Sequence, residues 1–494
     1  MNRRIVIFVL ALIGAIVAGS MLAAALCAGA ADWPDAGVLF RCSLFSLAVC
    51  CVLALATRPR RRKSDPPAHI TGREAFVIVS LAWVIASCIG AAPYVLYEAG
   101  PGTGLSLTDA FFEAMSGFTT TGASILPRVE AFAPGVLLWR SITHWLGGMG
   151  IIVLCLSIMP FIGGSGIELF KAESPTPIPE KLTPRLSRTA LYLWLIYILL
   201  TGLETVALKL CGMSLYDAVN HSFATMATGG FSTHSESIAY FKSPAVEWVV
   251  TFFMFLAGVN FTLHFLFLRG SFGAYFADEE FRWYAGIALI VAALIALSAL
   301  GANMAQPLSQ TIRHAAFQTV TILTTTGFGV TDSLQWPYFV HLVLLVLMLI
   351  GGCAGSTGGG IKVLRLMVLT RSVKNDMLKT LQPKRVLCVR IGGKPQENEL
   401  VRSILAFFVM FMFLLGAMSL ALTWIGIDVL SSISGVLSCL SNIGPGLGQF
   451  GPVSNYAAVP PCGKWILSFA MLIGRLEITT VMMLFMPSTW RRCR

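Results

Sequence analysis

The sequence has few charged residues. Asp, Glu, Lys and Arg make up 12% of the 494 residues and hydrophobic residues 56%, whereas a soluble domain carries about 25% charged residues. Apolar runs long enough to cross a bilayer, which takes about 20 residues each, recur along the whole chain rather than in one anchor. The composition therefore excludes a soluble globular protein and predicts an all-α polytopic membrane protein.

The twelve cysteines lack any recognisable spacing. Most of them stand within apolar runs, with no Cys-x-x-Cys pair and no histidine at ligand spacing. We interpret them as small buried hydrophobic residues, so that neither a zinc site nor a disulfide framework is predicted. No catalytic residue and no bound cofactor are predicted either.

Positive charge is confined to a few polar segments. The net charge is +11, and basic residues crowd into residues 58–73 and 365–394, with others at Arg3, Arg4 and in the tail 490–494. In membrane proteins, loops rich in Lys and Arg lie on the cytoplasmic side. The charge therefore predicts cytoplasmic loops and two cytoplasmic termini, and it does not indicate nucleic-acid binding.

The first apolar run, residues 5–31, has two interpretations. It follows Arg3 and Arg4 and ends in small residues, as a cleaved signal peptide does. Its apolar stretch is longer than the about 7 to 15 residues of a signal peptide, and a second span, residues 38–56, follows at once. We interpret the run as a retained transmembrane helix.

A repeated pattern follows these two helices. Four times, a long apolar helix leads into a shorter half-apolar segment that ends in Gly and Thr or Ser, and then into a second long helix. Two spans and four pairs predict ten crossings, which places both termini on one side. The predicted units are two extra N-terminal helices in residues 1–57 and repeats at residues 74–160, 186–270, 283–371 and 398–487.

The short middle segments of the repeats resemble one another most. Each predicts a half-helix followed by a glycine-rich loop, and such a loop is tolerated at membrane depth only where it lines a cavity or is buried in protein. A ring of carbonyl oxygens can replace the water shell of a cation, as in the TVGYG filters of potassium channels, and residues 325–329 read TTGFG. The sequence thus predicts pore loops around a pseudo-fourfold pore, at residues 109–124, 217–232, 315–329 and 428–446.

One glycine is common to all four loops, although three of them match the channel string less well. Gly122, Gly229, Gly327 and Gly444 each stand where the backbone must turn its carbonyls inward, which is easiest for a residue that tolerates positive φ. Ordinary turns are the alternative, but four loops in register between paired spans argue against it. The predicted ion-binding residues are Thr120, Thr121, Gly122, Ala227, Thr228, Gly229, Thr325, Thr326, Gly327, Asn442, Ile443 and Gly444.

A family resemblance is carried by strings in and beside these loops. They read SGFTTTG at 116–122, HWLGGMG at 144–150, TGGFS at 228–232, TTTG at 324–327, GGCAGSTGGG at 351–360 and GRLE at 474–477. Over nearly its whole length the chain resembles the Trk/Ktr/HKT superfamily of potassium transporters. The two extra N-terminal helices favour the Trk branch over the Ktr branch.

The resemblance implies that the four glycines surround a potassium ion. A serine in the first loop accompanies sodium selectivity in plant members of the superfamily, so that Gly122 argues for potassium. Asn442 and Pro445 depart from the channel string, as they do in the family, which implies a narrow filter with fewer well-defined sites. The potassium ion would be the substrate, taken up across the inner membrane of a bacterial cell.

The second helix of the third repeat cannot be one straight span. As a continuous helix, residues 336–371 would extend beyond about 50 Å, and each of the six glycines in residues 351–360 weakens a helix by about 1 kcal/mol relative to alanine. Lys362 stands one residue too far for a nucleotide-binding Gly-Lys-Ser/Thr loop. A plain hinge is one interpretation, and the resemblance implies an intramembrane gating loop. The predicted gating residues are Gly351, Gly352, Ala354, Gly355, Ser356, Thr357, Gly358, Gly359, Gly360 and Arg475.

Arg475 would lie about 15 Å into the last span, where an arginine is costly and marks function. A structural ion pair with Glu477 is the alternative, although residues two apart on a helix do not face each other. The resemblance places the arginine in the pore below the filter, where a fixed positive charge would limit the passage of cations.

Five polar residues in or near the pore half-helices have less specific interpretations. Negative charge at a helix N-terminus is ordinary capping, which is the interpretation preferred for Asp217 and Asp428. Proton relay is the alternative for the histidines, but local hydrogen bonding is the simpler prediction. The residues are Glu113, Asp217, Asp428, His144 and His221.

The resemblance also implies partners. Members of the Trk branch pair as homodimers with TrkA, a cytoplasmic nucleotide-binding ring protein, and this chain has no soluble domain large enough to bind a nucleotide itself. The longest polar segment, residues 371–399, supplies candidate docking charges. The alternative is that these charges only fix the topology and contact anionic lipid, at about 1 kcal/mol per residue. The candidate charges are Lys374, Lys379, Lys384 and Arg385.

Several functions compete with a gated potassium conduit. Coupling of potassium or another solute to protons or sodium is left open by the sequence. An intramembrane hydrolase would use Ser165, but no His or Asp partner stands at matching depth. A secondary transporter of organic solutes usually shows inverted repeats, whereas these four repeats all begin on the same face. The protein is therefore predicted to be a transporter and not an enzyme.

Overall fold

The structure begins with a hairpin of two apolar helices, α1 (Arg3–Ala30) and α2 (Ala36–Thr57). The side chain of Asn2 caps α1 by accepting a hydrogen bond from the Arg4 amide at 3.2 Å. Buried residues recur every fourth position along α1, which is one face of a helix. This face, which packs against the rest of the protein, includes Val9, Ile13, Val17 and Met21.

The computed structural model describes residues 2–58, 71–97, 104–150, 186–302, 307–332, 335–385, 387–452, 454–476 and 478–486. Most of the basic segment 58–73, together with Ser165, Glu477 and the basic tail 490–494, lies outside the described residues. In chain order the other helices are α3 (Gly72–Leu96), α4 (Leu107–Phe118), α5 (Pro134–Gly148), α6 (Leu186–Leu210), α7 (Leu215–Met226), α8 (Pro244–Ala257), α9 (Phe261–Leu268), α10 (Ala274–Ala277), α11 (Glu279–Gly301), α12 (Leu308–Leu323), α13 (Tyr338–Leu347), α14 (Val363–Leu381), α15 (Asn398–Trp424), α16 (Val429–Ser441), α17 (Pro461–Arg475) and α18 (Thr479–Phe485).

Strand structure in the described residues is limited to one short hairpin and one isolated bridge. β1 (Arg390–Ile391) pairs antiparallel with β2 (Lys394–Pro395) through Gly392 and Gly393. Single turns of 3-10 helix occur at Val129–Ala131, Ser237–Phe241 and Gly448–Phe450. The protein is a mostly helical membrane protein, which confirms the predicted fold class.

Six helices are long and apolar enough to cross a membrane, counting only the described residues. They are α1, α2 and the first helix of each predicted repeat, namely α3, α6, α11 and α15. Side chains cap the starts of three of them: Asn2 on α1, Thr71 and Glu74 as a reciprocal capping box on α3, and Asp278, which accepts from the Phe281 amide at 2.7 Å, on α11. These caps fix where α1, α3 and α11 begin.

Each first helix is followed by a shorter half-helix. The four half-helices are α4, α7, α12 and α16, with 12, 12, 16 and 13 residues. Ser106 and Ser214 cap α4 and α7, and Asp428 caps α16 by accepting from the Ser431 amide at 3.0 Å. Each half-helix overlaps a predicted pore segment, although α12 begins at Leu308, before the predicted start at residue 315.

The second helices differ from the prediction, because the break foreseen in one of them occurs in three within the described residues. The predicted break between α13 and α14 is present at residues 348–362. In the second repeat, α8 ends at Ala257 and α9 starts at Phe261, at 99° to it. In the fourth repeat, α17 ends at Arg475 and α18 starts at Thr479. Unbroken spans were expected at the last two.

Close packing requires a glycine at or beside each of these additional breaks. A Cβ on Gly258 would collide with the Tyr284 hydroxyl, and a Cβ on Gly474 would overlap the Leu440 carbonyl oxygen. The Asn260 side chain then caps α9 by accepting from the Thr262 amide at 2.9 Å. In the second repeat, Gly258 followed by the capping residue Asn260 is a sequence signal for the break. In the fourth repeat the only such signal is Gly474.

Candidate ion-binding site

The four half-helices end in turns of the same backbone conformation. The first left-handed residue of each turn is Thr120, Thr228, Thr325 or Asn442, with φ of 53°, 54°, 61° and 56°. Two residues later each turn has a glycine with positive φ, of 80°, 77°, 80° and 105°. Residues other than glycine seldom adopt such angles. These glycines, called here the glycine ring, are Gly122, Gly230, Gly327 and Gly444.

The hydrogen bonds of the four turns also match. The amide of the middle residue of each turn donates to a carbonyl five residues earlier in the half-helix, at 2.8 to 2.9 Å. The preceding amide donates to a carbonyl three residues earlier. The middle residues are Thr121, Gly229, Thr326 and Ile443. Four half-helices therefore terminate in the same way, although their sequences differ.

The second turn corrects the predicted alignment by one residue. The sequence prediction aligned Ala227, Thr228 and Gly229 with Thr120, Thr121 and Gly122. Instead, Ala227 has ordinary helical angles, φ −76° and ψ −10°, and the equivalent residues are Thr228, Gly229 and Gly230. The misleading signal was the first of two successive glycines.

The two successive glycines have separate structural reasons. A Cβ on Gly229 would collide with the ring of His144, whose Nδ1 lies 2.7 Å from the Gly117 carbonyl oxygen. Gly230 is required by its φ of 77° and by the carbonyl of Thr326 against it. Threonine does not choose between the two alignments, because Thr228 matches Thr121 in one and Thr120 in the other.

The four turns contact one another in a closed circuit. A Cβ added to Gly122 would overlap the carbonyl oxygen of Gly229, and one on Gly230 that of Thr326. The third and fourth turns make the same contacts. A Cβ on Gly327 would overlap the Ile443 carbonyl oxygen, and a Cβ on Gly444 would lie too close to the Thr121 carbonyl oxygen. Each glycine therefore lies against the middle carbonyl of the adjoining turn, and the fourth turn meets the first.

This circuit collects negative potential. The middle carbonyls accept no backbone hydrogen bond within the described residues. Each half-helix directs its C-terminus toward the circuit, and a helix C-terminus carries roughly half a negative elementary charge. Four carbonyls and four helix ends thus surround one small volume, which is an arrangement suited to a cation.

A buried ion pair supports the first two turns. Glu113 of α4 and Arg140 of α5 are 2.7 Å apart, and both side chains are almost fully buried. The carboxylate accepts from the Ile125 amide at 2.9 Å, and Arg140 donates to the Ser232 carbonyl at 3.0 Å. The pair therefore holds the chain after both turns. The sequence did not indicate this role for Glu113, because its partner lies 27 residues away on another helix.

Ion pairs also join other neighbouring repeats. Lys464 of α17 donates to Asp109 of α4 at 2.5 Å, joining the fourth repeat to the first. Arg313 of α12 donates to Glu247 of α8 at 2.7 Å, joining the second to the third. Asp109, Glu247 and Lys464 lie in the first turns of their helices, and Arg313 lies in the second turn of α12. Because the paired residues are far apart in the chain, local sequence patterns do not predict these ion pairs.

His221 and Asp217 of α7 make local contacts. His221 bonds the Asp217 carbonyl at 2.8 Å and the Ser232 hydroxyl at 2.9 Å through its two ring nitrogens. Asp217 lies in the first turn of α7, where its carboxylate accepts from Thr233 at 2.7 Å. The prediction of local hydrogen bonding is confirmed for His221, whereas His144 bonds the Gly117 carbonyl of another helix, 27 residues away.

Residues 351–360, the glycine segment, lie against the other side of the ring. The Gly359 amide donates to the Thr325 hydroxyl at 2.7 Å, and a Cβ on Gly359 would overlap the Ser441 carbonyl oxygen. The Cys353 amide donates to the Gly258 carbonyl at 2.9 Å, at the break between α8 and α9. The segment is thus in direct contact with the third and fourth turns.

Arg475 reaches the glycine segment from the end of α17. Its guanidinium donates to the Thr357 carbonyl at 3.0 Å, and also to the carbonyls of Gly147 and Gly148, at 2.8 Å for the latter. The residue ends a helix rather than lying within a continuous span, which differs from the prediction. The last residue of α17 therefore joins the glycine segment to the end of α5.

Two cavities lie on opposite sides of the ring. The vestibule, of about 110 Å³, is lined by Ser124, Ser232, Gly329 and Pro445 together with the ring glycines. The arginine cavity, of about 180 Å³, is lined by Gly150, Phe261, Gly358 and Arg475 among others. The ring and the glycine segment stand between the two cavities.

Comparison with known proteins assigns the chain to a family. The sequence model of TrkH, described as a cation transport protein, matches residues 43–492. The chain belongs to the TrkH family. This confirms the resemblance carried by the loop strings, and it makes the protein a membrane transporter by family.

Individual TrkH relatives match along most of the chain. The Trk system potassium uptake protein TrkH of Salmonella typhimurium is 39% identical over 435 residues, which is 88% of each chain. The TrkH of Vibrio parahaemolyticus is 38% identical over 499 residues, covering 99% of this chain and all of the relative. The crystal structure of the potassium transporter TrkH from Vibrio parahaemolyticus superimposes with a TM-score of 0.87 at 34% identity, covering 99% of this chain and 100% of that one.

Proposed function

We propose that the protein takes up potassium ions across the inner membrane of a bacterial cell, with the glycine ring and the middle carbonyls as its selectivity filter. The closed circuit of four turns is the observation that carries the proposal. Carbonyl oxygens at fixed positions can replace the hydration shell of a potassium ion. The relatives described as potassium uptake proteins support potassium as the substrate.

The route we propose runs from the vestibule through the ring to the arginine cavity. Helix α14 begins beside the arginine cavity and ends in a segment with exposed Lys374, Lys379, Lys384 and Arg385. By the positive-inside rule this side is cytoplasmic, and the vestibule faces outward. The repeats would then all start on the cytoplasmic side, with both termini there.

The glycine segment would act as the gate. It lies between the ring and the arginine cavity, where it obstructs an ion leaving the ring. The guanidinium of Arg475 adds a fixed positive charge at the same level, which raises the electrostatic barrier for a cation. Conduction therefore requires the segment and the arginine to separate from each other.

Ion flux into proteoliposomes tests this function directly. We expect the purified protein to carry rubidium or potassium much faster than sodium. Reversal potentials, measured with the potassium and proton gradients varied separately, would follow potassium alone for a channel and both gradients for a coupled transporter. Equal flux of sodium and potassium would contradict the proposal.

A cytoplasmic regulatory subunit of the TrkA kind would act on this inner face, and the protein would work as a homodimer. The four exposed basic residues listed above are the proposed docking charges. Their joint replacement by Gln should abolish binding of the ring protein and the response to its nucleotides, with insertion unchanged. A correctly inserted quadruple variant that still binds and responds would refute the docking assignment.

A further inference from the structure

A buried carboxylate on the first turn of α11 contacts both ends of the glycine segment. One oxygen of Glu280, Oε1, accepts hydrogen bonds from the Ala354 amide at 2.7 Å and the Leu364 amide at 3.0 Å. The side chain is 8% exposed. Ala354 lies near the start of the segment and Leu364 in the first turn of α14, so one residue joins two points ten positions apart.

The contact has favourable chemistry at each end. The first amides of a helix have no partner within it, and negative charge is stabilised there, so that the carboxylate satisfies an amide of α14. Each of the two hydrogen bonds contributes about 0.5–1.5 kcal/mol. Two backbone hydrogen bonds also join the two ends of the segment. The Gly351 amide donates to the Ile361 carbonyl at 2.9 Å, and the Ile361 amide donates to the Leu349 carbonyl at 3.1 Å.

The adjoining residue faces a different partner. Glu279 forms an ion pair with Arg371 of α14 and accepts from the Gly392 amide, in the β-hairpin, at 2.9 Å. Successive residues of one helical turn therefore serve two tasks, since Glu279 anchors the hairpin and Glu280 reaches the glycine segment. The start of α11 does not depend on Glu279 or Glu280, because Asp278 already caps that helix.

We propose that Glu280 is a positioning residue that holds the glycine segment under the ring. This inference depends on the gating function proposed for the segment. Loss of the carboxylate leaves the amides of Ala354 and Leu364 without their acceptor, so the segment separates from the ring more often. The closed state is then less populated, and ions pass without regulation.

The test compares variants at Glu280 in proteoliposomes that lack a regulatory subunit. Glu280→Ala and Glu280→Leu both remove the acceptor, and leucine keeps the volume of the side chain. Glu280→Gln retains an Oε1 that can accept from both amides. Glu399→Ala is the matched control, because Glu399 is an exposed acid in the first turn of another first helix.

Two quantities are measured: the unregulated rubidium flux, and labelling of the buried Cys353 by a maleimide, read by peptide mass spectrometry. The alanine and leucine variants should each raise labelling and flux about tenfold, as expected for the loss of two hydrogen bonds of this strength. The glutamine variant should lie closer to the unmodified protein, and Glu399→Ala should match it.

The outcomes separate this inference from the proposed function. Unchanged labelling in folded alanine and leucine variants, or equal labelling in the glutamine and alanine variants, would overturn the role of Glu280. Raised labelling with unchanged flux would support Glu280 as the positioning residue and would instead contradict the segment as an obstruction.

Discussion

The two sides of the glycine ring are held in different ways. On the vestibule side, buried or partly buried ion pairs join neighbouring repeats: Glu113 with Arg140, Asp109 with Lys464 and Glu247 with Arg313. On the other side the glycine segment is held mainly through single backbone amides and carbonyls. Breaking a buried ion pair costs about 3–5 kcal/mol, whereas an ordinary hydrogen bond contributes about 0.5–1.5 kcal/mol. The contacts that hold the ring are therefore stronger than those that hold the segment, as the proposed gating function requires.

Deleting residues 354–359 should have the largest effect on this contrast. The deletion removes the part of the segment that contacts Thr325 and Ser441 and leaves the vestibule side intact. We expect unregulated potassium flux to rise by more than about tenfold, since a change of about 1.4 kcal/mol in the closed state is enough for that factor.

The ratio of potassium to sodium flux through the deletion protein serves as the control, because it reports whether the ring is intact. Because the ring is untouched, the ratio of potassium to sodium flux should stay at its original value. A deletion protein that is monodisperse and inserted but slower than the unmodified protein would show that the segment assists conduction rather than obstructing it.

Replacing Arg140 by Met should weaken the vestibule side. The substitution leaves Glu113 buried without its counter-ion and removes the donor to the Ser232 carbonyl, at a cost of about 3–5 kcal/mol. We expect a lower thermal denaturation midpoint in detergent and a lower ratio of potassium to sodium flux, because the first two turns lose support.

The double variant Glu113→Gln with Arg140→Met tests whether the unpaired charge of Glu113 causes the loss of stability. Without a buried charge to compensate, it should recover part of the lost stability. If Arg140→Met alone were as stable and selective as the unmodified protein, the ion pair would not support the ring.

The smallest effect is expected in the loops beyond the vestibule. Burial acts to raise the pKa of Glu130, but hydrogen bonds from the Ser235 hydroxyl and amide outweigh it and hold the pKa below its usual range. Since the folded-state pKa is depressed, the carboxylate stabilises the contact above its unfolded-state pKa of about 4.3, and the stabilisation is lost as pH falls through the folded-state value.

Pepsin cleavage near residues 127–132, followed between pH 2 and pH 5, measures this effect. Cleavage should increase at the acid end of the range in the unmodified protein and change less steeply in Glu130→Gln, whose side chain does not titrate. Identical pH profiles in the two proteins would show that Glu130 does not control the loop.

Much of the fold followed from local sequence patterns. The apolar runs predicted the long first helices, and the glycine-rich loops after short apolar segments predicted the half-helices. Six glycines predicted the break between α13 and α14. These features depend on residues close together in the chain, where helix propensity and span length decide the outcome.

The rest depended on contacts between distant residues. The partners Asp109 and Lys464 lie 355 residues apart, so no local pattern links them. Gly474, beside the break after Arg475, packs against the Leu440 carbonyl, and the alignment of the second turn depends on which glycine faces His144. Such choices are made by tertiary packing, which a single sequence does not display.

The most direct test of the ring is the reversal potential with potassium on one side of a liposome and sodium on the other. Gly122→Ser and Gly230→Ser each place a Cβ on a middle carbonyl, at a backbone φ that costs a non-glycine residue about 1–2 kcal/mol. Gly416→Ser is the control, since that glycine of α15 faces open space. Both ring variants should reduce the preference for potassium at least about tenfold and the control should keep it; an unchanged preference in both would contradict the glycine ring as the selectivity filter.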